Sequence, residues 1–347
     1  MSGTTVDGGT ERSDGTSAIE CLASFVSVER ASNTITVSPG AGTLAEAVGK
    51  AQDGDTLILQ DGTYTSAGNR RRVLENLGKR LTIKAFNRRK AILDGQDRDR
   101  VAMLSGTVTI EGLVLTKGFV PDGWVVGGAG LSIRRGSVAT VTNCEITLNS
   151  AQNGGGVDMP EAAEATFTDC DIHDNVARTV SAGIGMQRRN KATFTNCNIY
   201  NNRALAGSSG GGTLAGEVRM ENCRIYDNTA SMNGGGLTIN GNDRTDPIRS
   251  DRVELVNNII EGNSAGGHGG GLDLRSTGPV STTGGQIRGN SANSGGRNIF
   301  VTGTPSQVCL AMSGTTVDGG TERSDGTSAI ECLASFVSVE RASNTIT

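Results

Sequence analysis

The chain is poor in aromatic residues, histidine and proline. Only 3% of its 347 residues are Phe, Trp or Tyr, and it contains 2 His and 6 Pro. This scarcity excludes a core built from large rings. A hydrophobic fraction of 35% is nevertheless too high for a chain that buries nothing. The core must therefore consist of small and branched aliphatic side chains.

An excess of either charge and a long hydrophobic run are also missing. The 32 Lys and Arg residues nearly balance the 36 Asp and Glu residues, for a formal net charge of −4. Because such a balance gives no broad positive field, nucleic acid is not expected as a partner. The apolar runs are too short for a membrane span. The first thirty residues have neither a basic n-region nor an apolar h-region, so we expect no signal peptide in this sequence.

Glycine, in contrast, is abundant, with 51 residues, and it belongs to an internal repeat of 26 to 27 residues. Six units share an isoleucine that is followed three residues later by asparagine, and most continue into a glycine cluster. The isoleucines are Ile146, Ile172, Ile199, Ile225, Ile260 and Ile287. One step in this series is longer than the others because it contains a polar, turn-rich insertion at 241–247, which we expect to loop out.

A unit of this length, which we interpret as three short strands separated by tight turns, cannot bury its own apolar face. The units must therefore stack on each other. The sequence thus predicts an all-β fold, a right-handed parallel β-helix solenoid of about nine coils. The repeated asparagines would then lie at one corner, each bonding the next coil. They are Asn149, Asn175, Asn202, Asn228, Asn263 and Asn290.

Four cysteines fall two residues before the repeated isoleucines, so they should point inward as a second column. They are Cys144, Cys170, Cys197 and Cys223. Adjacent parallel strands lie about 4.8 Å apart, which is wider than the Cβ separation of a disulfide. We interpret these residues as small buried apolar groups and expect neither a metal nor a redox role.

The ends of the chain differ from the repeat. Residues 42–51 predict a short amphipathic helix that covers the amino end of the solenoid, with Thr43 and Glu46 as a capping box. Residues 1–36 recur without a change as residues 312–347. Structural repeats drift in sequence, so this identity indicates a read-through or a partial second unit. We divide the chain into the segment 1–36, the solenoid 37–311 and a loosely held tail 312–347.

Two groups of motifs carry a family resemblance. Residues 39–64, PGAGTLAEAVGKAQDGDTLILQDGTY, resemble the amino-terminal cap and first coil of pectin-lyase-like right-handed β-helix proteins. The GGAGL, AGI and GGGL clusters and the I-x-x-N motifs resemble the repeats of chlamydial polymorphic outer membrane proteins, in which phenylalanine stands where this chain has isoleucine. The resemblance implies the β-helix fold and an extracellular or cell-surface location. It leaves the function open, because this fold hosts lyases, hydrolases and adhesins.

The outward residues around the repeated isoleucines form the candidate site. A catalytic interpretation groups Asp171, Asp174, Arg224 and Asp227, since a lyase or hydrolase of polysaccharides needs carboxylates and a base. A binding interpretation makes the two repeat tyrosines a stacking platform for sugar rings; its residues are His173, Tyr200, Tyr226 and Glu261. The third interpretation is an ordinary solvent-exposed face of strand formers.

Two further motifs bear on catalysis. Gly267-His268-Gly269 is similar to the G-H-G of polygalacturonases, yet the matching aspartate motifs are missing. Asp158 and Asp273 stand at equivalent places in GGGVDM and GGGLDL. They lie four coils apart, about 19 Å at the strand spacing, so they cannot share a metal.

These observations favour a surface or extracellular binding module that presents an elongated face to glycans or to protein partners. The alternative is a polysaccharide lyase or hydrolase of the pectate-lyase type that acts on an acidic polysaccharide. We expect a monomer with no cofactor and no metal. Calcium would enter only in the lyase alternative.

Overall fold

A computed structural model of the chain describes residues 31–68, 71–121, 127–240, 252–275, 279–302, 310–319 and 321–323. Within them the chain forms a parallel β-solenoid of four sheets, and every strand pairs with the equivalent strand of a neighbouring coil. We number the sheets I to IV in the order in which one coil visits them. A rung is the strand that one coil adds to a sheet.

Sheets I and II contain eleven strands each. Sheet I consists of Thr34–Val37, Thr56–Leu59, Leu81–Ala85, Thr107–Glu111, Val138–Thr142, Glu164–Thr168, Lys191–Thr195, Glu217–Glu221, Arg252–Val256, Val280–Thr283 and Leu310–Ser313. Sheet II consists of Gly40–Ala41, Gly62–Thr65, Ala91–Asp94, Leu113–Thr116, Glu145–Thr147, Asp171–His173, Asn198–Tyr200, Arg224–Tyr226, Ile259–Glu261, Gln286–Arg288 and Thr316–Val317.

Sheet III contains six short strands and sheet IV contains ten. Sheet III consists of Ser150–Asn153, Val176–Val180, Arg203–Ala204, Thr229–Ala230, Ser264–Ala265 and Ser291–Ala292. Sheet IV consists of Arg72–Glu75, Arg100–Leu104, Leu131–Ile133, Val157–Met159, Ile184–Met186, Gly212–Leu214, Leu237–Ile239, Leu272–Leu274, Ile299–Val301 and Thr321–Arg323.

The predicted all-β solenoid of about nine coils is confirmed. The isoleucine column is in register throughout, with Ile172 opposite Ile199 in sheet II. The longer sequence spacing between Ile225 and Ile260 leaves the register unchanged, because these two residues pair with each other. The insertion that was expected to loop out, 241–247, lies outside the described residues.

The asparagine column forms the predicted ladder at the corner between sheets II and III. The side-chain amide of Asn175 donates to Oδ1 of Asn202 at 3.0 Å and to the backbone carbonyl of Ile146 at 2.9 Å. The same pattern continues from Asn202 to Asn228, and Asn298 ends it by accepting from Asn290 at 2.8 Å. Each amide thus satisfies backbone groups of a corner that lacks sheet partners.

The prediction of three strands per unit missed sheet III. The two residues after the asparagine corner pair with the next coil, and Ala177, Ala204 and Ala230 of this sheet pack with Ala182 of a neighbouring turn into a separate small core. A two-residue strand shows no alternation in sequence, so periodicity could not reveal it. The cysteine column is buried as predicted, and all four thiols are free. Burial raises the pKa of Cys144.

The predicted helix spans Thr43–Lys50 and buries Leu44, Ala47 and Val48 against the first coils. The capping box was wrong. Gly42 is the N-cap, at φ 77°, and no side chain caps the helix. Thr43 is the first helical residue, and its hydroxyl donates to the carbonyl of Gly40 at 3.3 Å. A side chain at position 42 would approach Ala67 Cβ to 2.7 Å, so glycine is required there.

The start of the duplicated tail belongs to the stack, contrary to the expectation that it is loosely held. Leu310–Ser313 pairs with sheet I, Thr316–Val317 with sheet II and Thr321–Arg323 with sheet IV. Val317 continues the isoleucine column and is fully buried. Val317 is a branched aliphatic residue at the spacing of the column, and it adds a rung. The exact identity of residues 1–36 and 312–347 did not indicate this. The equivalent residues 1–12 lie outside the described residues.

Candidate functional site

The outer face of sheet II carries a continuous stack of aromatic rings. The ring centroids of His173 and Tyr200 lie 4.5 Å apart, and those of Tyr200 and Tyr226 lie 4.8 Å apart, with 6° between the planes in both pairs. The guanidinium of Arg224 covers Tyr226 at 4.5 Å from its centroid. The ring faces are therefore turned towards one another. The tyrosines therefore turn edges rather than faces outward, and the expectation of a platform on which sugar rings stack stays a prediction.

His173 is held between two carboxylates. Its Nδ1 lies 2.7 Å from Asp174 Oδ2, and its Nε2 lies 3.3 Å from Glu145 Oε1. Burial raises the pKa of Tyr200 to about 12, so this phenol stays protonated and cannot act as a base near neutral pH. The predicted binding residues thus share one face and contact each other.

The predicted catalytic residues on this face are engaged in structural contacts. Arg89 pairs with one oxygen of Asp171 at 2.5 Å, and Asn198 donates to the other at 2.8 Å. Arg224 donates to Glu261 from two nitrogens, at 2.9 and 2.6 Å. The hydrogen bonds from Arg224 lower the pKa of Glu261.

The other two predicted catalytic residues form a corner of the coil. Asp174 and Asp227 have φ values of 52° and 53°. Aspartate tolerates this left-handed conformation better than most residues, which gives it a structural reason to be there. Asp171 and Arg224 are separated by the rung of Asn198, and a depression of about 430 Å³ lies over Arg224 and Asp227. A catalytic role for the four residues stays a prediction.

Sheet IV carries a second and deeper feature that the sequence interpretation missed. Its outer face forms the floor of a groove with a volume of about 660 Å³. In each three-residue strand the first and third residues enter the core, as Leu237 and Ile239 do, and the middle residue faces outward. The outward column is in register: Ser132, Asp158, Gly185, Thr213, Thr238, Asp273 and Phe300.

The centre of the groove is rich in hydroxyl groups. Ser181 Oγ lies 2.7 Å from Thr213 Oγ1, which donates to Ser209 Oγ at 2.8 Å. Gly185 contributes no side chain to the floor, and a Cβ there would lie 3.2 Å from Asp158 Oδ1. Glu161 and other polar residues of the turns before and after sheet IV form the walls.

Asp158 lies in the floor near one end of the groove and is 4% exposed. Its carboxyl group has no hydrogen-bond or ion-pair partner within the described part of the chain. Burial raises its pKa to about 7, although the positive charge of Arg100 acts in the opposite direction. Asp158 can therefore exchange a proton near neutral pH.

Thr238 lies at the other end of the groove. It is 1% exposed and lines the groove, and its hydroxyl has no hydrogen-bond partner among the described residues. Asp273 Oδ1 and His268 Nδ1 are also buried without a partner among the described residues, but neither residue lines the groove. The other oxygen of Asp273 accepts from Arg275 Nε at 2.7 Å, and burial raises the pKa of this carboxyl group. The ring of His268 stacks on Phe300 with centroids 4.1 Å apart.

A signal for this groove was present in the sequence. The sequence motifs make Asp158 and Asp273 equivalent, and the structure confirms that four rung steps separate them. Comparing the residue between them in every unit would have shown only small or polar side chains, Gly185, Thr213 and Thr238. An outward column of that kind predicts a groove rather than a flat sheet.

The described residues contain no cluster of three or more His, Cys, Asp or Glu side chains that could hold a metal ion. Within the same residues, no helix is long and apolar enough to cross a membrane. The expected absence of a cofactor and the monomeric state stay predictions.

The solved structures that match this chain include polysaccharide lyases. The pectate lyase Pel9A shares 16% identity over 90% of this chain and 84% of its own, with a TM-score of 0.48. The family 6 alginate lyase AlyGC shares 16% identity over 78% of this chain, with a TM-score of 0.44, and the chain spans only 41% of its length. A mannuronic acid-specific family 6 lyase from human gut microbiota shares 14% identity over 89% of each chain, with a TM-score of 0.26.

No curated protein sequence matches the chain. The resemblance to chlamydial outer membrane proteins therefore stays a prediction. A family model described as the right-handed beta helix region matches residues 104–317, which is more than half of the sequence. The chain belongs to this right-handed β-helix family.

Proposed function

We propose that this protein is a binding module that holds an extended polysaccharide in the groove on sheet IV. The observation that carries the proposal is the buried hydroxyl of Thr238, which borders the groove without a partner. A buried polar group without a partner costs about 1–3 kcal/mol. The hydroxyl oxygen faces Gly234 and has almost no exposed surface, so a ligand hydroxyl would bond it only after the side chain rotates towards the groove, and that bond would remove this cost.

The shape of the groove supports a chain rather than a compact ligand. Its floor runs along the solenoid axis across the rungs of Asp158, Gly185, Thr213 and Thr238. Each rung adds about 4.8 Å, and three of these four rungs add an outward polar side chain, so the groove presents polar groups at multiples of this spacing. A polysaccharide presents its hydroxyls in the same repeated manner. An extracellular or surface location, where such chains are common, is part of this proposal.

Binding can be tested by affinity electrophoresis or calorimetry with a panel of polysaccharides. We expect Gly185→Leu to abolish binding, because the Cβ is already in tight contact with the floor and the rest of the side chain must occupy the groove. Thr238→Val serves as a second variant in case Gly185→Leu does not fold. Tyr200→Ala on sheet II is the matched control. If Tyr200→Ala abolishes binding and the groove variants do not, the site lies on the aromatic stack instead.

Asp158 favours a second function, cleavage of the bound polysaccharide. A carboxyl group with a pKa near 7 can protonate a glycosidic oxygen, and Glu161 lines the same groove as a second carboxylate. Product formation that Asp158→Asn abolishes would establish this activity. An unsaturated product on polygalacturonate or alginate, lost in Arg224→Ala, would instead support a lyase on sheet II. Binding without any product leaves the module as a binder.

A further inference from the structure

We infer that residues 1–12 of one molecule can replace the last rung of another, so that copies of this chain associate head to tail. The acceptor is the edge that the coil of residues 280–301 presents in sheets I, II and IV. The donor has the same sequence as residues 312–323, which pair with this edge in the structure. The inference does not depend on the groove or on its ligand.

The acceptor edge fits the core positions of the duplicated sequence. Met312 continues sheet I, and Val317 pairs with Ile287 in sheet II. Met312 is 8% exposed and Val317 is fully buried. Both lie inside the duplicated part, where the first copy has Met1 and Val6. The first copy therefore contains apolar side chains that this edge buries.

A buried carboxylate closes the asparagine ladder at the same edge. The side-chain amide of Asn298 donates to Asp318 Oδ1 and to the carbonyl of Gly319, the latter at 2.7 Å. The backbone N–H of Gly289 donates to Asp318 Oδ2 at 2.8 Å. A buried amide that loses its acceptor is costly, so the edge requires an acceptor at this place. The first copy supplies the same carboxylate as Asp7.

A buried hydroxyl fixes the register of the added rung. Thr315 is 2% exposed and donates to the carbonyl of Gly284 at 2.9 Å. It also lies 2.8 Å from the hydroxyl of Thr282 on the preceding rung. A shift by one residue would turn this side chain to the other face of the coil. Thr4 is the equivalent residue of the first copy, so the same register is available to it.

The distance along the solenoid favours the edge of a second molecule. Ten rung steps separate Thr34–Val37 from Leu310–Ser313 in sheet I, which is about 48 Å at the strand spacing. Arg12 and Thr34 are 22 positions apart in sequence, and a chain of that length spans at most about 79 Å. Reaching the edge of its own molecule would stretch this connection over more than half of its limit, at a cost in conformational entropy.

The resulting contact joins two different ends of the molecule. The donor precedes the first rung in sequence, and the acceptor is the edge on which the last rung forms. Such a contact is heterologous, so it can continue from one molecule to the next rather than close at a dimer.

In the unaltered chain residues 312–323 compete for the same edge. They follow directly on Leu310, which is buried and lies outside the duplication. A tethered segment acts at an effective concentration of about 1 mM or more. Exchange between molecules should therefore become visible when this own copy is weakened. Val317 and Val6 allow either copy to be weakened separately.

The experiment is sedimentation of the full chain with three variants, Val317→Asp, Val6→Asp and the double variant. A carboxylate is costly to bury at position 317, so Val317→Asp frees the edge and leaves the first copy intact. We expect the average mass of this variant to rise at least roughly two-fold between about 5 µM and about 500 µM, and its melting temperature to rise by about 3 °C over the same range. Val6→Asp, the matched control, should keep the mass and stability of the unaltered chain. The double variant should not associate.

Two results would overturn the inference. One is a Val317→Asp chain whose mass and melting temperature do not change with concentration. The other is equal association of Val317→Asp and the double variant, because apolar surface at the freed edge would then explain it without the first copy. If Val317→Asp does not fold, the milder Val317→Thr, which keeps the shape of the side chain, is compared with Val6→Thr and their double variant by the same criteria.

Discussion

Two neighbouring threonines on sheet IV provide a test, because replacing each of them with valine should change the stability of the protein in opposite directions. Thr213 and Thr238 occupy the same outward column on adjacent rungs. The hydroxyl of Thr213 contacts Ser181 and Ser209, whereas that of Thr238 has no partner among the described residues. Replacing threonine with valine keeps the shape of the side chain and removes only the hydroxyl.

The expected magnitudes follow from the contacts. Removing an unpaired buried hydroxyl recovers part of a cost of about 1–3 kcal/mol, so Thr238→Val should stabilise the free protein by about 1 kcal/mol. Thr213→Val removes hydrogen bonds of about 1 kcal/mol in total and should destabilise it by a similar amount. For a chain of this size each change corresponds to a shift of about 2 °C in melting temperature.

Added ligand should stabilise the Thr238→Val variant less than it stabilises the unaltered chain. Without its hydroxyl, the Thr238→Val variant loses one hydrogen bond to the polysaccharide, and its affinity should fall roughly three- to ten-fold. A saturating polysaccharide ligand should therefore raise its melting temperature less than that of the unaltered chain. Differential scanning calorimetry with and without ligand measures both effects. A Thr238→Val variant that is less stable than the unaltered chain would refute the reasoning, because the hydroxyl would then have a partner already.

Three further perturbations probe other parts of the account. Asp158→Asn should stabilise the chain at pH 8 by up to about 4 kcal/mol, because burial raises the pKa of this carboxyl group to about 7 from 3.8. This gain in stability should vanish below about pH 4, where the carboxyl group is protonated in both the folded and the unfolded chain. A difference in urea midpoint between variant and unaltered chain that stays the same from pH 8 to pH 4 would contradict this. Asn202→Ala should lower the free energy of unfolding by about 2–4 kcal/mol, since it leaves ladder partners on both neighbouring coils unpaired. A melting temperature within 1 °C of that of the unaltered chain would contradict a stabilising role of the asparagine ladder. Truncation after residue 311 removes buried Met312 and Val317 and should lower the melting temperature; an unchanged value would mean that the last rung contributes no stability.

The sequence predicts the solenoid well because its constraint is repeated. Each coil places Ile199 or its equivalent in the core and Asn202 or its equivalent at the corner. The repeat of 26 to 27 residues therefore remains detectable even where a single unit deviates from it. The capping box failed for a different reason. Thr43 and Glu46 satisfy the pattern, but the close approach of Ala67 to Gly42 is a contact between distant residues and has no local signal.

The candidate site was less predictable than the fold. The residues of the sheet II face were found because charged and aromatic side chains are conspicuous in a chain with few of them. Their contacts could not be read from the sequence, since Arg89 reaches Asp171 from 82 residues away. The groove was overlooked because its defining features are small. The small outward residue Gly185 can be read from an alignment of the units, but the missing partner of the Thr238 hydroxyl depends on contacts that only coordinates show.

The most direct test of the central claim is methyl NMR of the threonines during titration with the tightest-binding polysaccharide. Thr213 and Thr238 line the groove, whereas Thr147 belongs to the sheet II column with His173. The account predicts that the methyl signals of Thr213 and Thr238 shift on binding and that the signal of Thr147 does not. Shifts at Thr147 with unchanged signals from both groove threonines would contradict it.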